Sequence, residues 1–289
     1  MRIISLDQNK KSTYFKLMKI SDYHLGFIGF GHMAQVICRA IEQSRLIPRS
    51  QILFIRRDSA KMKQNEQEFG ITSTSLKNLV EKSQVLLICV RPHQADFVLK
   101  ELASLGAGSK MIVSLLAGIK LSLFRKHLGP DLQLLRTMPN IATAVGEGMT
   151  VFSYGPNPSI EFQSLAHLLF SNMGEVIEVS EDLMDICCGI AGSGPGFVFR
   201  LIESMARAGE KHGLSYGKSL KMAAQTFAGA ARLILKGSMP EMLIEQIATP
   251  KGTTEAGFTA MAELEMEKHF QAVVAASANR SREISEEYF

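Results

Sequence analysis

The sequence predicts an α/β fold in which a doubly wound sheet domain is followed by an all-helical domain. From residue 23 to 180, short apolar runs alternate with helical segments, which is typical of a parallel sheet that binds ligands at the carboxyl ends of its strands. From residue 181 onward, the segments have helical periodicity and none is a convincing strand. A third feature, a glycine turn near the start of the chain, indicates what the sheet domain binds.

The segment 24–40 reads HLGFIGFGHMAQVICRA and combines an apolar strand, a tight turn and a helix. In dinucleotide-binding (Rossmann) domains, the first glycine permits the turn, the second lets a pyrophosphate approach the backbone, and the third position needs a small side chain. The NH groups and the dipole of the helix start would hold the phosphate charge. We predict a cofactor site formed by Gly29, Gly31, His32, Met33 and Ala34. The alternative is a turn that needs glycine for steric reasons alone.

The other elements of the sheet domain follow in order. The predicted strands are 52–55, 85–90, 111–116, 132–135, 150–152 and 175–179. The predicted helices between them are 33–43, 59–69, 94–105, 122–128 and 160–170. This pattern does not determine the direction of the last strands.

The strand at 52–55 is followed by Arg56 and Arg57. An NAD site usually carries Asp or Glu at this strand end, about 20 residues beyond the glycine turn. No acid occupies the strand end here, and guanidinium groups bind a 2′-phosphate bidentately. We therefore predict NADPH in preference to NADH, with NADH possible. The alternative is that both arginines are solvated surface residues.

Three further strand exits are candidates for cofactor contact. One reads CVRP, in which Pro92 ends the strand and leads the chain across the cofactor crevice. Another, SLLAGI at 114–119, has a small and flexible exit suited to a nicotinamide lying against the backbone. The third, RTMPN at 136–140, ends in Pro and Asn. We predict cofactor contacts for Val90, Arg91, Pro92, Ala117 and Asn140, with ordinary turns as the alternative.

The helical half is predicted to contain six helices. Their predicted ranges are 183–190, 197–212, 218–235, 240–248, 254–263 and 268–284. The segment 218–235 is rich in alanine and apolar on nearly all of its faces, so it is either central within one subunit or shared with another. We favour a homodimer or a higher homo-oligomer that forms through this domain.

The segment 247–257 reads IATPKGTTEAG and is the most informative part of the helical half. It ends one helix at Pro250 and begins the next with Thr253 or Thr254 at the cap. The turn presents NH groups and two hydroxyl groups together, so that a substrate carboxylate could bind the NH groups while a threonine hydroxyl bonds a nearby nitrogen. We predict substrate contacts for Thr249, Gly252, Thr253 and Thr254. The alternative is an ordinary capped helix start.

Composition narrows the class of protein. The net charge of +4 is spread over 32 basic and 28 acidic residues, which does not indicate a nucleic-acid partner. The four cysteines lie in apolar segments without zinc-site spacing, which favours a reducing cytoplasm and no metal site. No uninterrupted apolar run reaches the length of a membrane span. We predict a loose N-terminal extension at 1–22, with Met18 as an alternative start, a dinucleotide-binding domain at 23–180, and a helical dimerisation and substrate domain at 181–289.

Taken in order, these motifs resemble the pyrroline-5-carboxylate reductase family over about residues 24–285. The motifs that carry the resemblance are GFGHMA, VRP, SLLAGI, RTMPN with GEG, AGSGPGF and TPKGTTEAG. The resemblance implies a proline-forming NAD(P)H enzyme with a dinucleotide-binding domain and a helical dimerisation domain. It implies hydride transfer to C5 of Δ1-pyrroline-5-carboxylate, giving L-proline. For that reaction, we predict that Thr254 hydrogen-bonds the imine and that the NH groups of Gly252, Thr253 and Thr254 hold the carboxylate.

The chain departs from the family pattern at several positions. Arg91 stands where Lys is usual, Ala191 and Gly196 stand where Ser and Ala are frequent, and TPKG replaces a usual Ser-Pro-Gly-Gly. If Lys251 has a positive φ angle, a residue other than glycine costs roughly 1 to 2 kcal/mol there. An ammonium group near a carboxylate site could offset that cost or alter substrate affinity.

Two other functions are compatible with this architecture. A related hydroxyacid dehydrogenase would need a general acid or base, commonly a Lys on the first large helix of the second domain, and 197–210 contains no Lys. A cofactor-binding regulator without turnover would not need the two threonines of the substrate loop.

Overall fold

The computed structural model describes residues 20–287. The predicted alternative start at Met18 and most of the predicted extension at 1–22 lie outside the described residues. The end of that extension belongs to the fold, because Ile20–Asp22 form a 3-10 turn and Ile20 is buried in the core of the sheet domain. The prediction of a loose segment up to residue 22 is therefore wrong for its last three residues.

The described chain contains one eight-stranded sheet in the order β3-β2-β1-β4-β5-β6-β7-β8. The strands are β1 (Leu25–Ile28), β2 (Ile52–Ile55), β3 (Thr72–Ser73), β4 (Val85–Ile88), β5 (Met111–Ser114), β6 (Gln133–Met138), β7 (Gly148–Tyr154) and β8 (Gly174–Glu178). Neighbouring strands from β3 to β6 are parallel, β7 is antiparallel to β6, and β8 is parallel to β7. The predicted doubly wound, mostly parallel sheet is confirmed.

The apolar strands divide their side chains between two cores because successive side chains point to opposite faces of a sheet. In β4, Val85 and Leu87 belong to one hydrophobic cluster, whereas Leu86 and Ile88 belong to the other. A strand covered on both faces therefore has a continuous apolar sequence instead of an alternating one. This explains why short apolar runs predicted the strands well.

Seven α-helices lie among the described residues 20–192. They are α1 (His32–Ser44), α2 (Ser59–Phe69), α3 (Leu76–Lys82), α4 (Ala95–Ser104), α5 (Leu121–Leu128), α6 (Ile160–Ser171) and α7 (Met184–Cys187), and α7 continues into a π-helical turn, Cys188–Gly192. Two short elements, β3 and α3, were not predicted from the sequence. The strand has only two residues and the helix has seven, so neither is long enough to show a period.

The remaining helices are α8 (Gly194–Lys211), α9 (Tyr216–Leu235), α10 (Pro240–Ile247), α11 (Thr253–Glu263) and α12 (Met266–Glu287). Helices α8 and α9 approach closely, because a Cβ atom at Gly209 would lie 2.5 Å from Ser219 Oγ. Only Ser219 and Ala223 of α9 are buried, and Met222 and Leu233 are 59% and 49% exposed. Within its own chain, α9 is therefore not a central helix.

The chain forms two compact units that differ from the predicted domain boundary at residue 180. Among the described residues, the sheet unit contains 20–192 and 277–287, and the helical unit contains 193–276. The segment 181–192 belongs to the sheet unit because Met184 and Ala191 pack in a cluster with Met138 and Val151. Periodicity placed this segment with the helical half because it is helical, but its packing partners are strands.

One described segment, Glu181–Lys211, is long and apolar enough to cross a membrane by length and composition alone. The sequence itself contains no uninterrupted apolar run of this length, and the segment qualifies because an average over a window tolerates isolated charged residues. Helices of a protein core or of a shared interface pass the same test.

Candidate functional site: the dinucleotide edge and the TPKGTT turn

The two glycines of the first turn have different physical roles. Gly29 has φ +87°, and a Cβ atom there would lie 2.8 Å from the Cys89 carbonyl oxygen and 2.9 Å from Val90 Cγ1. The turn therefore requires glycine at this position for steric reasons. A Cβ atom at Gly31 would meet nothing within 4 Å. Steric need inside the protein does not explain Gly31, and its predicted role in letting a ligand approach the backbone stays a prediction.

The start of α1 is arranged to accept an anion. Gly31 is the N-cap residue and provides no side-chain cap, and the first turn contains no acidic residue. The first NH groups of a helix have no partner inside it, so those of exposed His32 and half-buried Met33 face the N-terminal end of α1. Ala34 is 1% exposed and packs in the core, as expected for the small third position of the motif.

At the end of β2, the two arginines are held differently. Arg56 is half-buried and its Nη1 donates to Asn65 Oδ1 at 2.5 Å, whereas Arg57 is exposed. Asp58 follows them and caps α2 by accepting from the Lys61 backbone NH at 3.0 Å. This hydrogen bond holds the pKa of the Asp58 carboxyl below its usual value. The nearest acid is therefore committed to a helix cap, and a half-buried guanidinium group is anchored at the strand end.

The exits of β4 and β5 reach the same edge of the sheet. Val90 is half-buried and touches the Gly29 position, and exposed Arg91 precedes a 3-10 turn that begins at Pro92. Ala117 is partly buried against the cluster that contains Met138. Because β1, β2, β4, β5 and β6 are parallel, their carboxyl ends lie along one edge. The structure thus brings together the strand exits that the sequence analysis proposed for the cofactor.

Asn140 has a structural role that was not predicted from the sequence. Its side chain is 7% exposed, donates to the Ala191 carbonyl oxygen at 3.1 Å, and accepts from the backbone NH groups of Ala142 and Met149 at 3.1 and 3.3 Å. These three bonds join the β6 exit to the π-helical turn and to the start of β7. The Asn140 side chain therefore stabilises the loop at the β6 exit, and cofactor contact at this residue stays a prediction.

The predicted substrate turn begins α11 in the helical unit, but its cap is not a threonine. Gly252 is the N-cap residue, and Thr253 and Thr254 occupy the first helical turn. The Gly252 NH donates to the Thr249 carbonyl oxygen at 2.9 Å, so this NH is not available to a carboxylate. A Cβ atom at Gly252 would lie 2.5 Å from Thr249 Oγ1, which explains the glycine. The predicted roles of the threonines as caps and of the Gly252 NH as a substrate donor are therefore wrong.

Lys251 has φ +60°, the left-handed conformation that the sequence analysis considered costly. Its backbone NH donates to the Glu255 side chain, Oε2, at 2.5 Å, and this bond holds the turn closed. This role of Glu255 was not predicted from the sequence. The signal was present, because an acidic residue at the third position of a helix commonly accepts from the backbone that precedes the helix.

The cysteines are not arranged for thiolate chemistry. Burial raises the pKa of Cys38 to about 12, and it raises the pKa of Cys89 well above its ordinary value. Buried thiols of this kind are inert. Among residues 20–287, no group of three or more His, Cys, Asp or Glu side chains is placed to hold a metal ion.

Comparisons with known proteins found matches in both halves of the chain. Residues 24–118 match the family model described as NADP oxidoreductase, coenzyme F420-dependent, and residues 181–284 match the model described as pyrroline-5-carboxylate reductase dimerisation. The chain is 33% identical to pyrroline-5-carboxylate reductase 1 of Bacillus subtilis over 97% of this chain and 95% of that protein. It is also 33% identical to the enzyme of Arabidopsis thaliana over 91% of this chain and 96% of that protein.

Solved structures of similar proteins have the same fold. A pyrroline-5-carboxylate reductase from Coxiella burnetii has a TM-score of 0.82 and 27% identity, over 91% of this chain and 98% of that one. The Plasmodium falciparum enzyme with NADP bound has a TM-score of 0.82 and 24% identity, over 92% of this chain and 99% of that one.

The fold and the glycine turn define an NAD(P)-dependent oxidoreductase. With relatives at this identity over nearly its whole length, the chain belongs to the pyrroline-5-carboxylate reductase family. Members of this family reduce Δ1-pyrroline-5-carboxylate to L-proline with NAD(P)H, which is the last step of proline biosynthesis. The two alternatives, a hydroxyacid dehydrogenase and a cofactor-binding regulator, are not favoured.

Proposed function

We propose that this chain reduces Δ1-pyrroline-5-carboxylate with NADPH as the preferred cofactor, using the open start of α1 for the cofactor and the start of α11 for the substrate. The observation that carries the proposal is the full-length likeness to the reductases, together with the two threonines in the first turn of α11. Oxidation of NADPH in the presence and in the absence of the cyclic imine tests it. Turnover that is independent of the imine, or no turnover at all, would contradict the proposal.

The binding elements have separate roles in the proposed reaction. The cofactor supplies the hydride when bound, while the NH groups at the start of α1 hold its pyrophosphate. The NH groups of Thr253 and Thr254 bind the substrate carboxylate, and Arg56 and Arg57 bind the 2′-phosphate. The protonated imine N–H donates to Thr254 Oγ1, and this bond fixes the orientation of the imine ring. Because the imine is already protonated, no strong general acid is required.

We also propose that the enzyme is a cytoplasmic homodimer or higher homo-oligomer without a nucleic-acid or membrane partner. The helical unit exposes large apolar side chains that an isolated soluble chain would bury. They include Met222 at 59%, Leu235 at 72%, Ile247 at 61% and Leu264 at 65% exposure. A surface of this kind marks a protein interface, and the match to a dimerisation model covers it.

Light scattering is expected to give a mass of at least two chains at micromolar concentration. Replacing exposed Leu233 and Ile234 of α9 by Glu should raise the monomer fraction, because each charge would be buried in the interface without a partner. The matched control, Lys236→Glu, changes the charge at an exposed position just beyond the same helix. A wild-type monomer would refute the assembly, and so would a double variant that associates as the wild type does.

The left-handed conformation of Lys251 is expected to lower the stability of the protein. Lys251→Gly should raise the free energy of unfolding by about 0.5 to 1 kcal/mol, because the left-handed conformation costs a residue with a Cβ atom more than the added chain entropy of glycine. Lys251→Gln keeps the backbone strain but removes the ammonium group, so its stability should match that of the wild type. Chemical denaturation of the three proteins measures this. A glycine variant less stable than the wild type would show that the conformation is not strained. Comparing KM for the imine between the two variants distinguishes the effect of the lost ammonium group from the effect of the changed backbone.

A further inference from the structure

The end of α12 packs on the sheet unit through a narrow stripe of small side chains. The stripe consists of Ala278, Ser281 and Ser285, which lie on one face because they are three and four residues apart. The two serines are 2% and 1% exposed. A buried hydroxyl is costly without a partner, and each has one. Ser281 Oγ donates to Asp185 Oδ1 at 2.7 Å, and Ser285 Oγ donates to the Gly118 carbonyl oxygen.

The contact at Gly118 is close enough to exclude any other residue. Gly118 has φ +73°, and a Cβ atom there would lie 2.7 Å from Ile284 Cγ2 and 2.8 Å from the Ser281 carbonyl oxygen. The helix backbone and the turn after β5 are therefore in direct contact. Gly118 follows Ala117, for which the sequence predicts contact with the cofactor.

The other parts of this turn are anchored as well. Thr137 Oγ1 donates to the Ser114 carbonyl oxygen at 3.0 Å, and the Leu121 NH donates to Glu181 Oε1 at 2.6 Å. Arg136 is 2% exposed and holds the same carboxylate, with its Nη1 3.3 Å from Glu181 Oε1. Its Nη2 lies 3.6 Å from Asp185 Oδ1, the atom that accepts from Ser281. The segment from Ser114 to Leu121 is thus bonded at its start, at its middle and at its end, and only the middle bond comes from α12.

We propose that Ser285 is a positioning residue for hydride transfer. It holds the Gly118 carbonyl group and thereby keeps Ala117 in place against the nicotinamide. This inference rests on the proposed function and on the prediction from the sequence that the nicotinamide lies at the β5 exit. Its physical basis is that hydride transfer depends steeply on the distance and angle between the reacting atoms, so a small displacement of a supporting turn lowers the rate.

Ser285→Ala in the full-length protein tests the inference, since it removes one hydroxyl without adding bulk. We expect kcat/KM to fall by about three- to tenfold, the effect of one lost hydrogen bond to a neutral group. The deuterium isotope effect on kcat/KM, measured with 4-deuterated NADPH, should rise because the chemical step becomes more limiting. The fluorescence emission of bound NADPH should also shift, because the surroundings of its nicotinamide change.

Ser219→Ala is the matched control, because Ser219 is a buried serine of α9 in the helical unit whose hydroxyl has no hydrogen-bond partner among the described residues. It should leave both the isotope effect and the emission unchanged. The inference is overturned if Ser285→Ala has the isotope effect and emission of the wild type, even if its melting temperature is lower. If Ser285→Ala does not fold, Ser285→Cys, which keeps a weak donor of similar size, must show the same two changes at smaller amplitude. The emission of bound NADPH is measured without substrate and therefore tests the inference independently of imine reduction. If the protein does not reduce the imine at all, the proposed function is refuted instead.

Discussion

Thr254→Val is expected to lower kcat/KM for the cyclic imine by roughly 10- to 200-fold, because a hydrogen bond to a charged partner contributes about 1.5 to 3 kcal/mol. The substitution preserves the branched shape at Cβ and removes only the hydroxyl group. Thr254 lies in the first turn of α11, Gly252 is the cap, and the Thr254 hydroxyl has no hydrogen bond to any described residue. The melting temperature should therefore stay close to that of the wild type. Steady-state kinetics and thermal melts of the same preparations measure both quantities.

The neighbouring threonine is the natural control for this variant. Thr253→Val changes the same group one residue earlier at an exposed position and should have little effect on kcat/KM. Thr254→Ser keeps the hydroxyl and should recover most of the activity. If Thr254→Val has wild-type kinetics, the substrate site lies elsewhere. A loss of the same size in both valine variants would indicate that they disturb the helix start and not a specific bond.

Replacing Arg56 and Arg57 together by Ala is expected to weaken NADPH binding by roughly 10- to 100-fold and NADH binding far less, because only NADPH carries the 2′-phosphate. The structure favours the larger contribution from Arg56. Its guanidinium group is held by Asn65, so less conformational entropy is lost when it binds phosphate than for exposed Arg57. The measurements are KM and binding affinity for each cofactor, and the two single variants test the ranking.

A double variant on α3 distinguishes a specific contact with the phosphate from the effect of lowering the net charge. Lys77→Ala with Lys82→Ala also removes two positive charges, from exposed positions of α3, and should change the affinity for both cofactors only slightly. Equal losses of NADPH and NADH binding in the Arg56 and Arg57 variant would contradict the assignment of these residues to the 2′-phosphate. An added salt titration should reduce the NADPH preference of the wild type, since screening weakens exposed charge pairs.

The sheet, and the edge formed by the carboxyl ends of its parallel strands, could be predicted because the sequence patterns that indicate them span only a few residues. A strand covered on both faces is a continuous apolar run, and the turn after β1 needs glycine at a set spacing. Because the strands are parallel, the exits with Val90, Ala117 and Pro139 must lie along one edge. Strand ends that are identified in the sequence can therefore be expected to be neighbours in the fold. The same reasoning placed two threonines at the start of α11, since Pro and Gly mark the break between helices.

The sequence by itself therefore determined the doubly wound sheet, the glycine turn, the arginine pair and the helical second half. Only the tertiary structure decided which polar groups already have partners. It showed that the Asn140 side chain and the Gly252 NH are bonded within the protein, that Glu255 holds the turn at Lys251, and that Ser285 bonds to a carbonyl group 167 residues away in sequence. The physical reason is that periodicity and turn chemistry act over a few residues. The partner of a buried polar group is chosen by packing between segments that are remote in sequence.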